Sequence, residues 1–166
     1  EMTRLDLNEI VPGIIDMIAA PDNIDIRIET PLPVIVAERT RIGQVFGNLL
    51  SNAVKFMDKP DGRISISCAD RGGFWRFSVS DNGPGIEERY FERIFKIFQT
   101  LSPRDDFEST GVGLSLVKKI VTMYRGTVDV ESTVGVGTTF YFTLPKTGEE
   151  TDKENIHEYH AAHHAG

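Results

Sequence analysis

The amino-acid sequence predicts an α+β two-layer sandwich: a mixed, mostly antiparallel sheet covered on one face by about three helices. Two pairs of short segments alternate apolar and polar residues, one pair within residues 64–79 and the other within 128–144, and each pair is joined by a glycine-containing turn. Three longer stretches instead carry apolar residues at helical spacing. A length of 166 residues, 40% of them apolar and 26% charged, suits one hydrophobic core.

Residues 5–7 read as a short edge strand. Ile10, Ile14, Ile15 and Ile18 then recur at helical spacing until Pro21 stops them, with Asn8 as the expected cap. Ile24, Ile26 and Ile28 alternate with charged residues as a half-buried strand does, and residues 34–36 form another strand after the Pro-Leu-Pro break. A long helix is expected over residues 39–56, with Ile42, Val45, Phe46, Leu49, Leu50 and Ala53 as its apolar stripe. Ile64, Ile66 and Cys68, a turn at residues 70–73, and Trp75, Phe77 and Val79 read as a hairpin with one apolar face. The single cysteine is therefore expected to pack toward the core, and no intramolecular disulfide is available to it. A helix over residues 111–124 stops before Gly126. The second hairpin follows, with Val128 and Val130 in one arm, a turn at residues 135–137, and Phe140, Phe142 and Leu144 in the other.

The folded domain is expected over residues 1–145, and residues 146–166, which turn polar and charged, read as a disordered tail. All four histidines, His157, His160, His163 and His164, sit in that tail. On a helix two or three would share a face as metal ligands, but a defined metal site needs a buried supporting shell, so the tail reading is preferred. A net charge of −7 disfavours generic nucleic-acid binding, which calls for a basic patch. Any anion site must be local, built from backbone amides and a few cations. No apolar run reaches the roughly 18 residues of a membrane span and the start has no signal-peptide pattern, so no direct membrane contact is expected.

Three constellations carry chemistry. On the long helix, Asn48, Asn52 and Lys55 share a second face at i, i+4 and i+7. Asparagine is disfavoured inside helices, so two of them one turn apart invite a functional reading: amide oxygens for a hard metal ion, and an ammonium for phosphate. A solvated polar face fits the stripe alone at least as well. Next, the run Asp81-Asn-Gly83-Pro-Gly85-Ile86 follows an apolar strand. Its glycines allow close backbone approach to a ligand, and Asp81 can accept a hydrogen bond from an exocyclic amine, although a plain turn favours the same residues. Third, Gly111-Val112-Gly113-Leu114 is expected to open a helix, where free amides and the helix dipole favour phosphate. It follows an irregular stretch and not a strand, so the dinucleotide-fold reading fails, and the spacing of a Walker-type loop is absent.

In this order the motifs resemble those of the catalytic and ATP-binding domain of sensor histidine kinases, in the GHKL superfamily. Asn48-Leu-Leu-Ser-Asn52-Ala-Val-Lys55-Phe56 looks like the family's N box, and Asp81-Asn-Gly-Pro-Gly85-Ile86 like its first glycine box. Phe91-Glu-Arg-Ile-Phe95-Lys-Ile-Phe98 resembles the F box, Gly111-Val-Gly113-Leu-Ser-Leu the second glycine box, and Gly135-Val-Gly137-Thr-Thr-Phe140 the third. The resemblance covers residues 3–145 and implies a Bergerat-type ATP-binding fold.

The same resemblance implies roles. Asp81 would receive the adenine amino group in the turn shaped by Gly83 and Gly85, with Phe56 and Ile86 lining the nucleoside pocket. Asn52 and Asn48 would meet Mg²⁺, and Lys55 would reach the phosphates. Gly111, Val112, Gly113 and Leu114 would offer backbone amides to the phosphate chain, residues 99–110 would form a mobile lid, and Thr139 would assist adenine binding through water. Most family members carry an F-box arginine near the γ-phosphate. Thr100 stands about there in this chain, which leaves Arg104 or Lys96 as substitutes.

One position separates classes within the superfamily. ATP-hydrolysing relatives and serine-directed kinases carry a glutamate, suited to act as a base, four residues before the metal-binding asparagine; this chain has Asn48 there. The expectation is thus a protein-histidine kinase module that binds ATP and Mg²⁺, activates water poorly, and needs its nucleophile from elsewhere. No histidine precedes His157, so the module is expected not to phosphorylate itself. The implied partners are the dimerisation and histidine-phosphotransfer domain of the same kinase and a response-regulator receiver domain. The module itself is expected to be monomeric and cytoplasmic, with no nucleic-acid partner. The alternatives are a degenerate GHKL nucleotide-binding regulatory module and a GHKL ATPase, the latter disfavoured by Asn48.

Overall fold

The computed structural model describes residues 1–96 and 107–146, with backbone alone for residues 107–112. The predicted two-layer sandwich is what forms. Its sheet comprises β2 (Ile24–Ile28), β4 (Gly62–Asp70), β5 (Phe74–Asp81), β7 (Gly137–Pro145) and β6 (Val128–Thr133), in the spatial order β2-β4-β5-β7-β6. Among the described residues only β2 and β4 pair in parallel, with Ile26 opposite Ile64. A parallel pair requires a long crossover, here containing β3 (Val34–Glu38) and α2 (Arg39–Lys55). Both short strands expected near the start of the chain form, but β1 spans Met2–Asp6 where residues 5–7 were expected, Leu7 already belonging to the following helix. β1 and β3 pair with each other in a separate two-stranded antiparallel sheet, with Arg4 opposite Val36.

Three helices, α1 (Leu7–Ile18), α2 and α3 (Phe107–Met123), cover one face of the larger sheet. Their apolar stripes meet the inward rows of the strands: Ile42, Phe46, Leu49 and Leu50 of α2 are buried, as are Ile64, Ile66, Phe77, Val79, Phe142 and Leu144. At the centre Phe46 stands edge-on to Phe77 (5.7 Å between centroids) and to Phe142 (5.3 Å), while those two stack at 4.9 Å. Both arrangements suit the ring quadrupole, and the three rings lock α2 onto adjacent strands.

Two ends differ from expectation. Asp6, not Asn8, caps α1, accepting the Asn8 N–H at 2.9 Å. Asn8 instead clasps the loop before β3: its amide donates to the Leu32 carbonyl at 2.7 Å and accepts the Leu32 N–H at 2.9 Å. Helix α3 starts at Phe107, four residues before the predicted Gly111. Its other end falls as expected, with Arg125 at φ 63° and the Gly126 N–H returning to the Val121 carbonyl at 2.9 Å. Tyr124 then accepts the Glu38 N–H at 2.9 Å, tying the end of α3 to the start of α2.

Cys68 is partly buried against the core, as predicted, and burial, aided by Asp70, pushes its thiol up to about 11. It is therefore a weak nucleophile at neutral pH. No helix among the described residues is long and apolar enough to cross a membrane. The predicted tail beyond Lys146, with its histidines, lies outside the described residues.

Candidate functional site

A cleft opens between α2, the end of β5, the segment after it, α3 and β7. It is lined by Asn52, Ala53, Phe56, Asp81, Pro84, Gly85, Ile86, Ile94, Leu114, Thr138 and Phe140. Counted out to its mouth, open solvent included, it encloses about 520 Å³. The lining is mainly apolar, with three polar residues, and each of those has a structural reason to be there.

Asp81 continues the inward row of β5 two residues beyond Val79 and four beyond Phe77. The alternation that buries those side chains thus brings a carboxylate to the end of the core. It accepts the Gly83 N–H at 2.8 Å and a second N–H from Thr138. Burial nevertheless pushes the carboxyl above its ordinary range, opposed by those two donors; Asp58 adds to the rise and Lys59 counters it. The group prefers a ligand that brings it a hydrogen-bond donor.

Asn52 faces the cleft from α2, and its amide nitrogen is buried without a hydrogen-bond partner among the described residues. Leaving such a donor unsatisfied costs about 1–3 kcal/mol, a deficit that a ligand acceptor would remove. Asn48, one turn earlier, lies just beyond the lining, with its side-chain oxygen against Gly113 of α3 at 3.3 Å from where a Cβ would stand. Lys55 stands apart. It is exposed, its Nζ is 5.5 Å from the Phe56 ring centroid, and it borders the groove between α1 and α2.

The glycine turn after β5 is fastened on both sides. Asn82 accepts the Arg63 N–H at 2.6 Å and donates to the Asp61 carbonyl at 2.9 Å, while the Gly135 N–H reaches the Pro84 carbonyl at 2.7 Å. Gly85 has φ 78°, and a Cβ there would run into the Thr133 backbone. Its glycine is thus demanded by close approach to the β6–β7 hairpin, where the sequence suggested close approach to a ligand. Gly83 sits under the Asp81 carboxylate and outside the lining.

Two expectations require correction. Thr139 does not reach the cleft: it faces the opposite side of the sheet, 2.8 Å from Ser80 Oγ. Thr138 takes its place, because β7 alternates and Thr138 shares the inward row with Phe140 and Phe142. The second glycine box does not open a helix. Gly111 to Leu114 lie inside α3, whose first turn is Phe107 to Thr110, so the amides lacking helical acceptors belong to that earlier turn.

The cleft also contains residues that sequence reasoning missed. Ala53 and Phe140 neighbour named residues and were legible from helical and strand periodicity, whereas Ile94 lies in the F-box run, where Phe91, Ile94 and Phe95 recur at helical spacing but the chain folds as turns. Phe95 beside it packs edge-on to Phe140 at 5.9 Å, anchoring the segment. Lys96 is exposed at the end of that segment. Thr100, Arg104 and the expected lid up to residue 106 lie outside the described residues, as does the side chain of Val112.

Comparison with known proteins follows the same lines. Residues 37–148 match the family model described as histidine kinase-, DNA gyrase B-, and HSP90-like ATPase. The chain is 46% identical to Cyanobacterial phytochrome B of Nostoc sp. over 148 residues, which is 86% of this chain and 20% of that protein. It is 34% identical to Sensor protein RprX of Bacteroides fragilis over 87% of this chain and 30% of the relative. With Cyanobacterial phytochrome A of Nostoc sp. it shares 45% identity over 75% of this chain and 16% of the relative, so it spans about a fifth or less of both phytochromes. Among solved structures, the catalytic domain of histidine kinase ThkA superimposes with a TM-score of 0.70 at 31% identity, covering 88% of this chain and 96% of that one. Full-length ShkA in complex with AMPPNP gives a TM-score of 0.74 at 30% identity, covering 87% of this chain and 31% of that one.

Proposed function

Because the chain belongs to the histidine kinase-, DNA gyrase B-, and HSP90-like ATPase family, with a fold shared by a histidine kinase catalytic domain, we propose that it binds Mg-ATP and presents the γ-phosphate to a histidine on a dimerisation domain. The observation that carries this reading is the partly buried Asp81 carboxylate in an apolar cleft that is also lined by Asn52, whose amide nitrogen has no hydrogen-bond partner among the described residues. The apolar walls suit a flat aromatic base, and Asp81 suits its exocyclic amine. ShkA, which shares the fold, was solved in complex with AMPPNP, and this supports nucleotide binding here.

In this reading Asp81 accepts from the adenine amino group, and Phe56, Ile86, Ile94, Leu114 and Phe140 sandwich the base. Asn52 and Asn48 offer carboxamide oxygens to Mg²⁺, an ion that takes hard oxygen ligands and retains several waters, so two protein ligands suffice. When bound, the ion neutralises charge on the triphosphate. Lys55, on a long stem at the last turn of α2, reaches the phosphates by rotating from the α1–α2 groove. Backbone amides of Gly111, Val112, Gly113 and Leu114 become available if the first turn of α3 opens, and the two glycines lower the cost of that opening. Lys96 or Arg104 takes the γ-phosphate.

The chemistry is in-line displacement: an imidazole nitrogen forms a bond to the γ-phosphorus as the bond to the β–γ bridging oxygen breaks and ADP leaves. The chain's part is positioning and charge neutralisation. The acceptor histidine, its neighbouring base and a response-regulator receiver belong to partner domains. Asn48 supplies no base for water, so steady ATP hydrolysis should be slow. Titration of ATP into the chain by calorimetry, with and without Mg²⁺, tests the proposal. Mg²⁺-assisted binding that weakens about ten- to hundredfold in Asp81→Asn is expected; ATP affinity indifferent to both the ion and the substitution would overturn it.

A further inference from the structure

Next to two residues of the cleft lining, Ile86 and Thr138, one hydroxyl ties three groups together. Ser132 Oγ receives the Ile86 N–H at 2.7 Å, donates to the Gly137 carbonyl at 2.9 Å, and lies 2.7 Å from Thr138 Oγ1. A serine hydroxyl owns one proton and two lone pairs. The Gly137 carbonyl only accepts, so it takes the Ser132 proton, and the Ile86 amide only donates, so it takes one lone pair. The second lone pair then faces Thr138, whose hydroxyl must be the donor. The Thr138 proton is thereby turned toward Ser132, and what Thr138 Oγ1 has left to offer is acceptor capacity. Thr138 lines the cleft beside Asp81 and donates its backbone N–H to that carboxylate. Two adjoining side-chain acceptors therefore mark this corner.

We propose that Ser132 is a specificity-determining residue, one that rests on the nucleotide-binding reading of this cleft: by holding the Thr138 hydroxyl as an acceptor next to Asp81, it makes the corner select a 6-amino purine over a 6-oxo purine. The exocyclic amine carries two protons. A direct bond to Asp81 uses one, and Thr138 accepts the other directly or through a water that the amine donates to. A 6-oxo purine presents a lone pair at the same place and meets two acceptors. Through the Ile86 amide the same hydroxyl holds the wall of the cleft in register with β6. Ser132 itself touches no part of the base, so it acts through Thr138 and Ile86.

The test compares ATP with ITP, which differ at ring position 6, by titration into the 166-residue chain and its variants. Ser132→Ala frees the Thr138 hydroxyl to rotate and donate, and should narrow the ATP-to-ITP affinity ratio about tenfold, the effect of one hydrogen bond. Ser132→Thr keeps the hydroxyl and should restore the ratio. Thr138→Val removes the acceptor without touching the Ile86 contact, and should narrow the ratio even if Ser132→Ala fails to fold. Ser80→Ala breaks the comparable Ser80–Thr139 pair on the outer face and should leave the ratio unchanged. If Ser132→Ala and Thr138→Val weaken both nucleotides equally, or neither, the specificity role is wrong. The two readings fail separately: ATP affinity that survives Asp81→Asn removes the nucleotide cleft itself, whereas its loss alongside an unchanged ratio in Ser132→Ala removes only the role of Ser132.

Discussion

Asp81 shows how one side chain trades stability for binding. Its carboxyl is pushed above the ordinary range mainly by burial, so the folded state holds the proton more tightly than the unfolded chain does. The associated stability is present at low pH and lost as pH rises through the folded value, which means that the ionised group opposes folding at neutral pH. Asp81→Asn should therefore raise the thermal midpoint of the unliganded chain at pH 7 while lowering ATP affinity about ten- to hundredfold, as expected for a charged hydrogen bond. Scanning calorimetry and nucleotide titration check the two halves. Because only the carboxylate accepts fully, ATP affinity of the parent chain should fall on acidification at a pH above the usual aspartate range, and Asp81→Asn should flatten that dependence. Asp81 was legible in the sequence as an acid at a strand end. Its burial was not, since desolvation depends on α2 and β7 closing around it.

At the scale of elements, glycines separate into those the fold demands and those it tolerates. Gly85, at φ 78°, abuts the Thr133 backbone, so Gly85→Ala incurs both strain and a clash and should destabilise the chain by about 1–3 kcal/mol. Gly43 and Gly47 lie within α2 with nothing within 4 Å of a prospective Cβ. Alanine at either should stabilise by about 0.5–1 kcal/mol, through helix propensity and a less flexible unfolded chain. Urea unfolding of the three variants reads both signs. Element boundaries show a similar division. The strands and α2 were legible because period-2 and period-3.6 patterns coincide with a buried face, whereas α3 begins before its apolar stripe, in residues without periodicity. The cap of α1 was misplaced by two residues because Asn8 and Asp6 both suit a cap, and only the position of Leu32 decides which is used elsewhere.

The whole molecule is held by one core in which Phe46, Phe77 and Phe142 join helix layer to sheet. Phe77→Ala should cost about 3–5 kcal/mol in urea unfolding, and it should also weaken ATP binding, because β5 aligns Asp81 with β7. Incubated alone with labelled ATP, the chain should acquire no acid-labile phosphate; such label on it would sink the expectation of an acceptor elsewhere. The sequence by itself determined the layer architecture, the family and most of the cleft: alternation and helical stripes specify which faces are buried, and five ordered boxes specify the chemistry. Tertiary structure decided which of two adjacent threonines enters the cleft, that Gly85 serves the hairpin, that Lys55 rests outside the lining, and that Ser132 commands a hydroxyl network. Those outcomes depend on contacts between segments distant in the chain, whose register and proton direction no local pattern encodes.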